Sequence, residues 1–208
     1  MALIHRATLT PSKLDLLRAW LPTRPWFPSG AVVETLGAYR FDDPAGEVGV
    51  ETFLLRAGDA VLQVPLTYRS APPDVDDERR LGTTEHSVLG TRWVTDGCAD
   101  PVWAHALLEA VLTGGEQAAE EVDVDGVLQP REPSATVRGS GAPGAAVPSV
   151  TDLRVDDSAD TTTVDTGAAT IVLARVVGTD LAGTHRLAGT WSTGSATLVT
   201  VHPTEEKP

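Results

Sequence analysis

Three groups of closely spaced aspartates are the residues whose types and spacing come nearest to a metal site. They are Asp74, Asp76 and Asp77; Asp123 and Asp125; and Asp156, Asp157 and Asp160. A calcium loop of the EF-hand type needs alternating acidic ligands, a glycine, and a glutamate at its last position. None of the three groups has this pattern. We therefore expect solvated acidic loops and predict no bound metal.

The histidines and the single cysteine are the other side chains that could do chemistry. His86 and His105 flank Cys98, but their spacing fits no known set of metal ligands, and one cysteine allows neither an intrachain disulfide nor a multi-cysteine zinc site. We expect Cys98 to be a small buried or half-buried residue in a turn. The glycine-rich stretch Gly139–Gly144 lacks the Gly-Lys-Ser/Thr ending of a phosphate loop, and no Gly-x-Ser-x-Gly elbow is present. We predict no catalytic residue and no cofactor.

The charge of the chain limits the classes of partner. Its formal net charge is −13, with 29 acidic residues against 16 lysines and arginines. Such a surface repels phosphate groups, so we expect neither nucleic acid nor membrane lipid as a partner. No apolar run approaches the ~18 residues of a membrane span, and the N-terminal residues lack the pattern of a secretory signal. These features favour a cytoplasmic protein.

The elements that must position these residues begin with two amphipathic helices. The first is predicted to start at Thr10-Pro11, as N-cap and first-turn proline, and to bury Leu14, Leu16, Leu17, Trp20 and Leu21. The second is predicted to start at the N-cap Asp100 and to end at Gly114. Its buried stripe is predicted to be Trp103, Ala106, Leu107, Ala110 and Val111.

An antiparallel meander is predicted between the two helices. Its strands are Ala31–Asp42, Val48–Ala57 and Ala60–Arg69, joined by the turn sequences Asp42–Gly46 and Gly58-Asp59. Pro65 has no N–H to donate, which predicts an edge or a bulge at that position. The fold class that follows is α+β, with a curved antiparallel sheet packed on two helices.

The chain is predicted to have three parts. Residues 1–115 form the α+β domain, and residues 116–149 form a connector, first acidic and then rich in Pro, Gly and Ala, which we expect to be mobile in its second half. Residues 150–203 are β-rich. They hold few large apolar residues for a separate core, so we expect them to extend the first sheet.

Three motifs follow one another in residues 3–115. They are QVPLTYR (Gln63–Arg69), Leu81-Gly82-Thr83, and HSVLGTRWVTDGCADPV (His86–Val102). Together they resemble the N-terminal cap domain of actinobacterial maltokinases and related sugar kinases, although Thr95 stands where that family has an aromatic residue. The resemblance implies a compact cap with a curved sheet against helices, somewhat like a cystatin. In the full-length enzymes this cap packs on a kinase that phosphorylates a sugar with ATP and magnesium.

The catalytic motifs of such a kinase are not found in these 208 residues. Phosphoryl transfer of this class needs a His-x-Asp loop followed by an asparagine, a metal-binding aspartate and a nucleotide-anchoring lysine. No histidine here precedes an x-Asp pair, asparagine is absent, and the two lysines, Lys13 and Lys207, lie on no predicted strand. We therefore predict that the chain alone is not an enzyme.

Arg92, Trp93 and Asp96 are the candidates for an interaction surface. In the simpler interpretation Trp93 is a core residue and Arg92 forms a local ion pair with Asp96. In the other, these residues form a contact surface that the kinases use to meet their catalytic domain and that this chain uses for a separate partner. Tryptophan and arginine are favoured anchors of interfaces.

Three functions remain open from the sequence. The first is a non-catalytic accessory or regulatory domain linked to a sugar kinase, or to another enzyme of maltose, trehalose or α-glucan metabolism. The second is one half of a split sugar kinase that transfers phosphate only with a partner chain. The third is a small-ligand binder, because a curved sheet around a helix leaves a concave face that could hold a sugar.

Overall fold

The computed structural model of the protein describes residues 2–4, 8–124 and 127–204. The helices are α1 (Lys13–Trp20) and α2 (Pro101–Thr113), with 3-10 turns at Leu21–Thr23, Asp77–Arg79 and Gly97–Ala99. The strands are β1 (Ala2–Ile4), β2 (Leu9–Thr10), β3 (Val33–Phe41), β4 (Gly49–Ala57), β5 (Ala60–Arg69), β6 (Arg80–His86), β7 (Gly90–Asp96), β8 (Glu120–Val124), β9 (Val127–Arg131), β10 (Ala135–Gly139), β11 (Arg154–Asp157), β12 (Thr161–Asp165), β13 (Ala169–Ala174), β14 (His185–Trp191) and β15 (Gly194–Pro203).

The first sheet is a curled antiparallel sheet with the strand order β2-β6-β7-β5-β4-β3. Its strands β3, β4 and β5 are the predicted meander, and both predicted turns join them. Pro65 is not at a bulge, because it lies opposite Thr52 of β4, but β5 has no β7 partner at this position, so Pro65 is at a local edge as predicted. On its other side β5 first pairs with β7 at Leu66, so the missing N–H of Pro65 falls next to the end of that ladder.

Helix α1 starts later than predicted. Its N-cap is Ser12, whose hydroxyl accepts a hydrogen bond from the Asp15 N–H at 3.2 Å, while the Asp15 carboxylate accepts one from the Ser12 N–H at 3.2 Å. This capping box satisfies two N-terminal donors at once, and Thr10 belongs to β2 instead. The buried residues Leu16, Leu17 and Trp20 cover one face of the first sheet.

The second sheet corrects the expectation that the β-rich C-terminal residues extend the first sheet. Its strands are antiparallel in the order β10-β14-β15-β13-β12-β11. The two sheets share one isolated bridge, Leu62 opposite Val176, within the described residues. The C-terminal residues need no separate core, because Ile171, Leu173, Leu187, Val199 and Val201 belong to the same apolar cluster as α2 and β3–β4.

Helix α2 has the predicted ends and the predicted buried stripe. Asp100 is its N-cap, with a carboxylate that accepts the Val102 N–H at 2.9 Å, and Gly114 ends it at a φ of 74°. More of the helix is buried than the stripe, since Ala104, Leu108 and Leu112 are buried too. It is therefore not amphipathic in the usual sense but an interior helix, in contact with both six-stranded sheets.

The glycine-rich part of the connector is not a mobile linker. Gly139 and Gly141 touch the end of α2 so closely that an added Cβ would lie 1.9 Å from the Ala110 oxygen and 1.8 Å from the Leu112 oxygen. The Gly141 N–H donates to the Val111 carbonyl at 2.9 Å, which satisfies one of the free carbonyls at the helix end. Glycine is needed here for close packing.

The connector also contributes a small third sheet. It has the order β1-β8-β9, with β1 parallel to β8. The described chain is thus mostly β, with two short helices, so the α+β prediction holds only in part. No helix among the described residues is long and apolar enough to cross a membrane.

Replacing Trp103 by alanine tests the packing of α2. Trp103 is 1% exposed, and its loss should leave a cavity that costs about 3–5 kcal/mol of unfolding free energy, measured by urea denaturation. The control is His105→Ala on the exposed side of the same helix, which should change stability by about 0.5 kcal/mol or less. Equal losses from the two variants would mean that the helix is packed differently.

Candidate functional site

Asp96 is not a surface residue. Its carboxylate is fully buried and accepts hydrogen bonds from Arg79 Nη1 at 3.1 Å and from Arg175 Nη2 at 2.5 Å. The expected local ion pair between Asp96 and Arg92 is not formed. Asp96 pairs instead with Arg79 and Arg175, which are distant from it in the sequence. Asp96 is thereby removed from the interaction-surface candidates.

Asp96 belongs to a closed ring of polar side chains between the two six-stranded sheets. Arg79 Nη1 also donates to Asp157 at 2.9 Å, and the Thr162 hydroxyl donates to the other oxygen of Asp157 at 2.5 Å. Arg175 Nε donates to that hydroxyl at 2.7 Å, which closes the ring. We call Arg79, Asp96, Asp157, Thr162 and Arg175 the inter-sheet ring, because the first two lie in the first-sheet half and the others in the second.

The charged forms of Asp157 and Arg175 are favoured although the ring is buried. Burial alone would raise the pKa of Asp157, but the Thr162 hydroxyl and the charges of Arg175 and Arg79 outweigh it and hold that pKa below its ordinary value. Burial opposes the charge of Arg175, yet the neighbouring Asp96 keeps the pKa of that guanidinium raised. The arrangement is a set of matched ion pairs with a structural role.

Cys98 is the small buried turn residue that the sequence predicts. It lies in the 3-10 turn after Asp96, and its Sγ accepts a hydrogen bond from Arg175 Nη2 at 3.2 Å. Burial raises the pKa of the thiol well above its ordinary value, in spite of Arg175. A neutral, buried thiol is a packing group and not a nucleophile.

Arg92 and Trp93 are half-buried on β7, where the hairpin β6–β7 passes the end of β5. Beyond that point the hairpin is paired with β2, and its turn is held by mutual hydrogen bonds between Thr8 and Ser87. We call residues 87–92 the hairpin tip. Its turn presents two aliphatic side chains to solvent, Val88 and Leu89, which are 59% and 46% exposed.

Two neighbouring clefts lie around the N-terminus of α2, at the end of the first sheet that carries the hairpin tip. The first, about 370 Å³, is bounded by Glu47, the loop 69–75 and Ala99–Pro101. Arg69 forms a two-point ion pair with Asp100 here, at 2.8 and 2.7 Å. The second cleft, about 310 Å³, shares Pro101 and reaches Ser149 and Val150.

The sequence did not single out the clefts. Asp100 was identified as a helix cap and Arg69 as part of a motif, but nothing in their spacing indicates that they pair. The only local signal was the Asp42–Gly46 turn. There Asp43 accepts the N–H groups of Ala45, Glu47 and Val48, which lower its pKa against the opposing effect of burial.

The curled sheet, the hairpin β6–β7 and the turn into α2 are the parts that carry the three sequence motifs. Residues 20–100 match the maltokinase N-terminal cap domain. The resemblance is confirmed over these residues, less than half of the chain, which we call the cap segment. The cap segment includes the hairpin tip and Asp96 but not α2 or the second sheet. No curated protein matches the chain.

The aspartate groups have different surroundings. Within the part of the chain that the structure describes, no group of three or more His, Cys, Asp or Glu side chains could hold a metal ion. Asp157, expected in a solvated loop, belongs to the inter-sheet ring, whereas Asp77 forms an exposed ion pair with Arg80. Asp125 and the side chain of Asp123 lie outside the described residues.

Replacing Asp96 by asparagine should break the inter-sheet ring. Two buried guanidiniums would lose their shared carboxylate, which should cost about 3–5 kcal/mol of unfolding free energy in urea denaturation. Asp77→Asn removes a carboxylate that pairs with Arg80 at 2.7 Å on the surface, and it should cost about 0–1 kcal/mol. Similar losses of unfolding free energy in the two variants would contradict a structural role of the ring.

The lowered pKa of Asp157 predicts a pH dependence. In the unfolded chain an aspartate has a pKa of about 3.9. Ionised Asp157 therefore stabilises the fold above that pH, and this contribution is lost as the pH falls through the lower pKa that Asp157 has in the folded protein. Asp157→Asn should therefore be less stable than the wild type near neutral pH, and the difference should shrink on acidification. Urea denaturation at a series of pH values measures this difference in unfolding free energy between the variant and the wild type. A difference that stays constant with pH would contradict the assignment.

Proposed function

We propose that this chain is a non-catalytic accessory domain that binds a sugar kinase or another enzyme of maltose, trehalose or α-glucan metabolism. The partner contacts the end of the first sheet that carries the hairpin tip. The observation that supports this most directly is the exposed pair Val88 and Leu89, which lies inside the cap segment.

The hairpin tip has the properties of a protein contact. Adjacent exposed aliphatic side chains lose contact with water when a partner covers them, and each large side chain buried contributes about 1.5–3 kcal/mol. Arg92 lies within the tip and Trp93 follows it on β7, both half-buried; because successive side chains of a strand face opposite sides of the sheet, only one of the two borders any one contact face. The tip is held by β2 and by the His86 imidazole, which accepts the N–H groups of Val88 and Leu89. A tip already held in one conformation loses little entropy on binding.

The test is binding to a purified maltokinase, measured by calorimetry and by sedimentation. The wild type should bind, and Val88→Ser with Leu89→Ser should weaken the affinity about tenfold or more. Val32→Ser is the matched control, because Val32 is 74% exposed and precedes β3, at the opposite end of the sheet. The proposal fails if the kinase does not bind at micromolar concentration, or if the control and the double variant lose the same affinity.

The two other functions predict different results in the same samples. A split kinase would transfer phosphate from ATP to a sugar only when both chains are present. A ligand-binding protein would be stabilised against heat by maltose, glucosamine, trehalose or ATP with magnesium in the absence of the kinase. An accessory domain responds to the kinase alone.

A further inference from the structure

We propose that the two clefts at the N-terminus of α2 form one groove that binds an extended, positively charged segment of a partner protein. We call them together the α2 groove. The inference goes beyond the proposed function, because it concerns another surface and does not require that the partner is a kinase.

The shape of the α2 groove suits a chain segment. Pro101 lines both clefts, and their lining residues reach from the loop 70–75 to Val150. Four of its apolar lining residues are prolines, Pro44, Pro72, Pro73 and Pro101, and the others are alanines and valines. Proline has a fixed φ and no side-chain freedom to lose, so these four positions are rigid. The aliphatic stems of lysine and arginine pack well on such surfaces while their charged ends remain in polar surroundings.

The negative charge of the α2 groove favours a positively charged ligand. Its lining contains four carboxylates, Asp43, Glu47, Asp74 and Asp100, against the guanidinium of Arg69 and the imidazole of His105. Arg69 is committed to Asp100 through two hydrogen bonds, and Asp43 is committed to three backbone N–H groups. Glu47 and Asp74 are exposed and are the carboxylates in the best position to meet an incoming cation. An anion would be repelled.

The polar groups of the groove are fixed before a ligand arrives. The Asp100 carboxylate is held by Arg69 on one side and by the Val102 N–H on the other. The turn with Glu47 is held by the Asp43 carboxylate. Binding therefore needs little rearrangement, which favours affinity. Ser149 and Val150 lie outside the cap segment, so the complete groove needs the C-terminal half of the chain.

The experiment uses the full chain and a fluorescein-labelled peptide of alternating arginine and valine, with binding followed by fluorescence anisotropy. Glu47→Gln with Asp74→Asn should weaken binding about fivefold or more. The matched control is Glu34→Gln with Glu109→Gln, which removes the same charge from two exposed glutamates outside the groove and should change binding by less than about twofold. A peptide of alternating glutamate and valine should not bind.

Two results would overturn the proposal. One is the absence of peptide binding by the wild type up to about 1 mM. The other is an equal loss of affinity in the groove and control variants, which would show attraction by the net charge of the whole chain. The hairpin variant Val88→Ser with Leu89→Ser should bind the peptide normally. Failure of the kinase experiment alone thus remains distinguishable from failure of the groove.

Discussion

The carboxylate of Asp96, shared by two arginines from opposite halves of the molecule, is the contact on which the rest of the structure depends. Arg79 reaches it from the first-sheet half and Arg175 from the second. A buried charge without its partner costs several kcal/mol, so the inter-sheet ring favours a single relative position of the two sheets. Desolvation offsets much of the attraction within a buried ion pair, so the loss on breaking the ring is larger than its net contribution to stability.

The stability of that arrangement comes from α2, which supplies apolar surface to both halves. Trp103 and Leu107 lie in one cluster with residues of β4 and of β13–β15. The second sheet could not make a core from its own few large side chains, but it completes one on α2. Close approach at the helix end depends on Gly139 and Gly141, where a methyl group would collide with helix carbonyls. Gly139 and Gly141 thus allow the C-terminal half to pack against the end of the helix.

The sequence predicted what is encoded locally. The ends of α2 follow from Asp100 and Gly114, and β3–β5 follow from alternation and turns, because neighbouring residues carry these signals. The start of α1 was misplaced between two adjacent caps, although Ser12 with Asp15 forms the stronger signal. The ring and the α2 groove pair residues far apart in the chain, such as Asp96 with Arg175, and no spacing rule indicates such pairs. Composition predicts a linker at Gly139 and Gly141, because composition alone does not separate flexibility from close packing.

One short stretch of chain connects the three features that matter most for function. Strand β7 begins in the hairpin tip and ends at Asp96 in the inter-sheet ring. The turn Gly97–Ala99 follows, closed by the Asp100 N–H on the Gly97 carbonyl at 2.9 Å, and Asp100 then forms the wall of the α2 groove and caps α2. Both proposed contact surfaces are therefore attached directly to the buried ion pairs of Asp96. Surfaces supported in this way are already in position when a partner arrives, and this is the condition under which a small exposed area can still bind specifically.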